Sequence, residues 1–139
     1  MAKRPDHVPP ELRRRLNETH GGLLRVHKAL LEHERARFEA INGKIPGPGE
    51  FLQLVINDSF FAWLRPVSEF IVQIDEYTES KSPVDPAVGE ALLVTARRML
   101  VPAEDGDEFQ RNYHRALQES PEVGIAHGEW RQIAVPNDQ

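Results

Sequence analysis

From Pro10 to Asn42 the apolar residues Leu12, Leu16, Leu23, Leu30, Leu31, Phe38 and Ile41 recur at intervals of three, four and seven, the period of one stripe along an α-helix. Gly21 and Gly22 interrupt the run, each costing ~1 kcal/mol against alanine in a helix interior. The stripe keeps its phase across the pair, so the pattern predicts one long helix, kinked or loosened there. Gly43, Pro46, Gly47, Pro48 and Gly49 then stop it, glycine past the end and prolines that cannot continue it.

Glu50 to Ile56 reads as a short apolar turn or helix, and Asn57-Asp58-Ser59 supplies side chains that cap a helix start. Phe60 to Thr78 reads as the second long helix. Its apolar residues cover more than half of a helical wheel, which predicts burial on more than one side. Pro66 removes the hydrogen bond to the carbonyl of Ala62 and predicts a kink. A third helix is expected over Pro86 to Leu100, with Val88, Ala91, Leu92, Thr95, Ala96 and Met99 inward. A fourth runs from Asp107 to Gln118 on Phe109, Tyr113 and Ala116. Ser120-Pro121 opens a short last helix carrying Val123, Ala126, Trp130 and Ile133. No run of alternating β-branched residues suggests a sheet. The expected architecture is all-α: a four- to five-helix bundle with a kinked central aromatic helix. Residues 10–135 form its single domain, between a flexible N-terminus at 1–9 and a C-terminal tail at 136–139.

Composition narrows the chemistry. The chain has 139 residues, 40% hydrophobic and 28% charged, the balance of a globular domain large enough for its own core. It has no cysteine, which excludes disulfides, thiolate metal sites and cysteine nucleophiles. The N-terminal Met-Ala-Lys-Arg-Pro-Asp-His has no apolar run behind it, and nothing approaches the ~18 consecutive apolar residues of a membrane span. A cytoplasmic address is expected, with no membrane partner. The net charge of −5 is uneven: residues 1–44 carry ten Lys/Arg against six Asp/Glu, and 45–139 carry seven against sixteen. That asymmetry suits self-association more than nucleic acid, for which there is no pervasive basic face. Neither a Walker loop nor a Gly-x-Gly-x-x-Gly fingerprint is present, and no cofactor is expected.

The anomaly is a polar line in the first helix. At ~100° per residue, His20, His27 and Glu34 fall within the apolar stripe. With the second long helix antiparallel and Ile41 level with Phe60, Glu34 is expected near Ser68, and His27 near Asp75. Seven-residue spacing puts His27 and Glu34 ~10.5 Å apart along the axis, too far for one ion. The likeness to hemerythrin-like or DinB-like metal bundles is therefore one of helix count, without their His-x-x-x-Glu and His-x-x-x-His motifs, and no metal is expected. Ser68, His27 and Asp75 do not make a hydrolytic triad, because a mid-helix serine lacks the strained Gly-x-Ser-x-Gly elbow. A hydrogen-bonded layer that fixes helix register fits better, with His114 and His127 at the surface or boundary.

Trp63-Leu64-Arg65-Pro66, with Ser68-Glu69 and Ile74-Asp75-Glu76, resembles a segment found in a group of small bacterial proteins of unknown function. The resemblance implies an all-α fold and a bacterial source, draws Arg65 into the polar line, and supplies no activity.

Six of the ten Phe, Trp and Tyr residues fall between Phe51 and Tyr77. This concentration suggests a self-association surface at Phe61, Trp63 and Phe70. The expected function is a non-catalytic helical binding or regulatory protein acting as a homodimer. The alternative is a metal-binding bundle or enzyme using the His/carboxylate line.

Overall fold

Proline and short polar caps set where each helix begins. The computed structural model describes residues 7–134, so the proposed tail at 136–139 lies outside the described residues, as do residues 1–6 of the proposed N-terminal segment. The described residues are all helical in their regular structure: α1 (Pro10–Asn42), α2 (Pro48–Asn57), a 3₁₀ turn (Ser59–Leu64), α3 (Arg65–Thr78), α4 (Pro86–Met99), α5 (Glu108–Glu119) and α6 (Pro121–Ala134). Proline stands in the first two positions of α1, α2, α3, α4 and α6, where its missing N–H is one no helical carbonyl needs. Carboxylates cap three starts: Asp58 accepts from Phe60 N at 2.8 Å, Asp85 from Ala87 N at 2.9 Å, and Asp107 from Gln110 N at 2.8 Å. Ser120 Oγ accepts from Val123 N at 3.2 Å at the head of α6.

The helix count exceeds the expected four to five for two reasons. Residues 48–57 form a full helix, and the Phe60–Thr78 segment is divided. Pro66 is the second residue of α3, not an interior residue that breaks a ladder, and the helix type changes where the 3₁₀ turn meets α3. At the other expected irregularity, α1 passes Gly21-Gly22 as unbroken α-helix.

Helix α1 is the spine, contacting α3, α4, α6 and the 3₁₀ turn, while α5 packs on α6 and the same turn. Leu12, Leu16, Leu23, Val26 and Leu30 of α1 are buried, and Val8 just before it joins the core. Helix α3 runs antiparallel to α1, with Phe38 against Phe60 at one end and His20 against Asp75 at the other. Helix α6 is antiparallel as well: Arg25 meets Glu129 at 3.3 Å, and Gly22 lies under Trp130. A Cβ on Gly22 would stand 2.9 Å from Trp130 Cε3 and 3.0 Å from Ile133 Cδ1. Gly22 is thus the place where the backbone of α1 lets the indole of α6 come close. Gly89 does the same for α4, where a Cβ would meet Leu12 and Tyr77 at 2.8 Å.

That approach explains a misplaced face. Helix α4 turns Gly89, Leu93 and Ala96 inward, followed by Leu100, while Val88, Ala91 and Thr95 are exposed. Counting only apolar side chains left out the glycine that sets the contact line. The expected self-association residues are corrected similarly. Phe61, Trp63 and Phe70 are 0%, 8% and 4% exposed within the chain's own core, because the 3₁₀ turn that carries the first two is enclosed by α1, α2 and α5, and α3, which carries Phe70, packs on α1 and α4.

Replacing Gly22 by alanine is expected to destabilise the protein by about 1–3 kcal/mol, since a buried ring must move. Gly21→Ala meets only the end of Arg25 at 3.5 Å, and should stabilise by about 0.5–1 kcal/mol. Urea unfolding of the two variants checks the opposite signs, and equal effects would show that α6 does not sit on Gly22.

Candidate functional site

Of the polar residues in the first-helix stripe, only Glu34 is fully buried. Such a carboxylate is costly unless hydrogen bonds and opposite charge replace water. Three elements supply them. Arg37, one turn on in α1, donates from Nη1 to Oε1 at 2.7 Å. Trp63 of the 3₁₀ turn donates from Nε1 to Oε1 at 3.3 Å. Arg115 of α5 donates from Nη1 to Oε2 at 3.3 Å and from Nη2 to Oε1 at 3.4 Å. The two guanidiniums also cover aromatic faces, Arg37 over Phe60 at 5.1 Å and Arg115 over Trp63 at 6.0 Å.

The network ends at the surface in Glu119. Its Oε1 accepts from His33 Nε2 at 2.8 Å and from Arg115 Nη1 at 3.0 Å. Because an ionised carboxylate only accepts, the ring proton of His33 sits on Nε2. The His33 hydrogen bond, and then Arg115, hold the Glu119 carboxyl below its usual range, with burial opposing them.

The expected polar line is redistributed. Asp75 lies beside His20, not His27: Nε2 and Oδ1 are 2.9 Å apart, without the geometry of a hydrogen bond. Glu34 meets Trp63 and the arginines instead of Ser68. Ser68 Oγ is satisfied within its own helix by the Arg65 carbonyl at 3.1 Å. Arg65 donates from Nη2 to the Asp58 carbonyl at 3.4 Å, and its Nε is enclosed with no hydrogen-bond partner. The displacement has a mechanical cause. Phe38, one turn before Ile41, is the residue opposite Phe60, and a 3₁₀ turn rises ~2.0 Å per residue against ~1.5 Å in an α-helix, carrying α3 further along α1.

His27 is left half-buried without a charged partner among the described residues, and burial pushes its imidazole below the ordinary value. His127, expected at a surface or frayed end, instead lines up with a core tyrosine. The Tyr113 hydroxyl and His127 Nδ1 are 2.6 Å apart. Burial raises the phenol and lowers the imidazole, Arg131 adding to the latter. The neutral phenol therefore donates and Nδ1 accepts.

Arg37, Arg115, His33 and Glu119 were missed as a group. The Arg115–Glu119 pair is visible at four-residue spacing, but nothing local joins it to Glu34, 81 positions away. Among the described residues no three His, Asp or Glu side chains are grouped so as to hold a metal ion, and no helix is long and apolar enough to cross a membrane. No protein-family profile, curated protein or solved structure matches the chain.

Truncation of Glu34 to alanine is expected to cost about 3–5 kcal/mol in urea unfolding, because Arg37, Arg115 and Trp63 lose a buried acceptor together. A loss below ~1 kcal/mol would mark the network as an ordinary screened surface pair. His27 gives a pH signature. With its folded pKa below the unfolded ~6.5, the fold prefers the neutral ring. That contribution is complete above pH ~6.5 and is lost as pH falls toward the folded pKa. Comparing urea midpoints across this window, His27→Gln should flatten the dependence. An unchanged slope would remove His27 as its source.

Proposed function

We propose that the protein is a non-catalytic helical binding or regulatory module that works as a homodimer, with the uncovered face of α2 as its recognition surface. The carrying observation is that α2, an apolar helix of ten residues, has none buried. Leu52 and Ile56, four apart and so on one face, are 56% and 53% exposed. Ile41, in the last turn of α1, is 69% exposed. Leaving large aliphatic side chains in water is unfavourable at roughly 25 cal/mol per Å², and a second copy of the same face relieves it by isologous packing.

The interior polar groups favour the same reading. Both Glu34 oxygens accept from Arg37, Trp63 or Arg115 and the carboxylate is fully buried, so its surroundings are those of a structural ion-pair network and not of an open reacting centre. Of the residues expected to act together, His20 and Asp75 meet at 2.9 Å, while His27 and Glu34 each lie in a separate environment.

Light scattering over a concentration series tests the proposal. The expected result is a mass rising toward that of a dimer. Leu52→Glu with Ile56→Glu should hold the protein monomeric, with helical circular dichroism unchanged because neither residue is in the core. A monodisperse monomer at high micromolar concentration would remove the homodimer reading.

A further inference from the structure

Two clefts flank Trp130 where the ends of α4 and α6 meet. The one toward α1 is about 300 Å³ and includes Arg14 and Arg15. Their charge is answered: Arg14 pairs with Glu11 and Glu18 at 2.6 Å each, and Arg15 pairs with Glu90 at 3.3 Å. Glu11 and Glu18 also line that cleft, which makes it a poor place for an anion.

The cleft on the other side of the indole is about 310 Å³, within the range of small-ligand sites. Leu100, Val101, Pro102 and Trp130 give it apolar walls, and Arg97 and Arg131 supply its cations. Neither guanidinium has a hydrogen-bond or ion-pair partner among the described residues. Arg14, Arg15, Arg25, Arg35, Arg37 and Arg115 all pair with glutamates. Arg13, Arg65 and Arg111 donate to backbone carbonyls, and Arg98 is unpaired among the described residues but lies outside the cleft, so Arg97 and Arg131 concentrate unanswered positive charge at one apolar-walled site. Each lies in the last turn of its helix, where partial negative charge accounts for its position but occupies none of its five donors. His127 also lines the cleft, and the bond from the Tyr113 hydroxyl to Nδ1 leaves Nε2 as the donor of that ring.

We infer that this cleft binds a small organic anion with a compact apolar body, its carboxylate or phosphate held by Arg97 and Arg131 and its body against Trp130. A planar fork of donors suits either head group, and an indole with Leu100 and Pro102 suits a flat or branched apolar body better than a sugar. The site is separate from the α2 face, so it stands or falls independently of the dimer.

The test is a heteronuclear NMR titration of the full chain with benzoate, phenyl phosphate and benzyl alcohol. The expected result is saturable movement of the Trp130 indole N–H and of the Leu100 and Val101 amides with at least one of the two anions. The uncharged alcohol should bind at least ten-fold more weakly. Which anion binds better assigns the head group. Arg97→Gln with Arg131→Gln, both exposed, should weaken binding at least ten-fold while leaving the remaining spectrum folded. Arg98→Gln, an equal loss of charge in the same last turn but outside the cleft, should not. Non-saturating shifts, equal response to benzyl alcohol, or equal weakening by Arg98→Gln would overturn the inference.

Discussion

The carboxylate of Glu34 has given up its water, and what replaces that water ties together helices distant in sequence. Its donors come from α1, the 3₁₀ turn and α5, so none of the three can slide without uncovering a charge. The 3₁₀ geometry contributes directly. Residues three apart eclipse one another in such a turn, which stacks Phe60 and Trp63 on one side. Each ring then takes one of the two guanidiniums that serve Glu34. An α-helix over the same residues would fan those rings apart. The intervening Phe61 points instead to Phe38 and Phe51, closing an aromatic joint between α1 and α2.

Element ends were largely legible in the sequence, because proline at a helix start and an Asx or Ser cap act locally. Asp58 and Ser120 fall where such signals suggest. The α1 stripe was legible too, apart from Ile41, which is exposed, and Glu34 was one of the three polar residues expected within it. Partnership was not. Arg115 lies on another helix, and its distance from Glu34 along the chain leaves no periodic trace. The α1–α3 register depended both on which residue of α1 meets Phe60, Phe38 instead of Ile41, and on whether Ser59–Leu64 wound as α or 3₁₀, a difference of ~0.5 Å per residue, and composition encodes neither. His20 consequently took the place expected for His27. The aromatic density from Phe51 to Tyr77 was read as surface for a related reason: it is interior to a joint whose other half, Phe109 and Tyr113, comes from α5.

Interior and exterior follow opposite rules. Inside, polar groups are matched until few are spare, as with Glu34 and the Tyr113–His127 pair. Outside, two features remain uncompensated, one apolar on α2 and one cationic beside Trp130. Mismatch of that kind has little value for folding a lone chain, and it is where contact with another molecule changes the balance most.

The pairing of the first long helix with the last also sets a schedule. The face of α1 around Gly22 is covered by Trp130 and Ile133 of α6. At the ~5–20 residues per second of ribosomal synthesis, roughly four to sixteen seconds separate the end of α1 from the start of α6. Throughout that interval α1 has only the 3₁₀ turn, α3 and α4 to pack against, and only as those segments emerge. The nascent chain therefore holds an open groove along its longest helix until α6 arrives to fill it, and vectorial synthesis places that docking after the other contacts of α1.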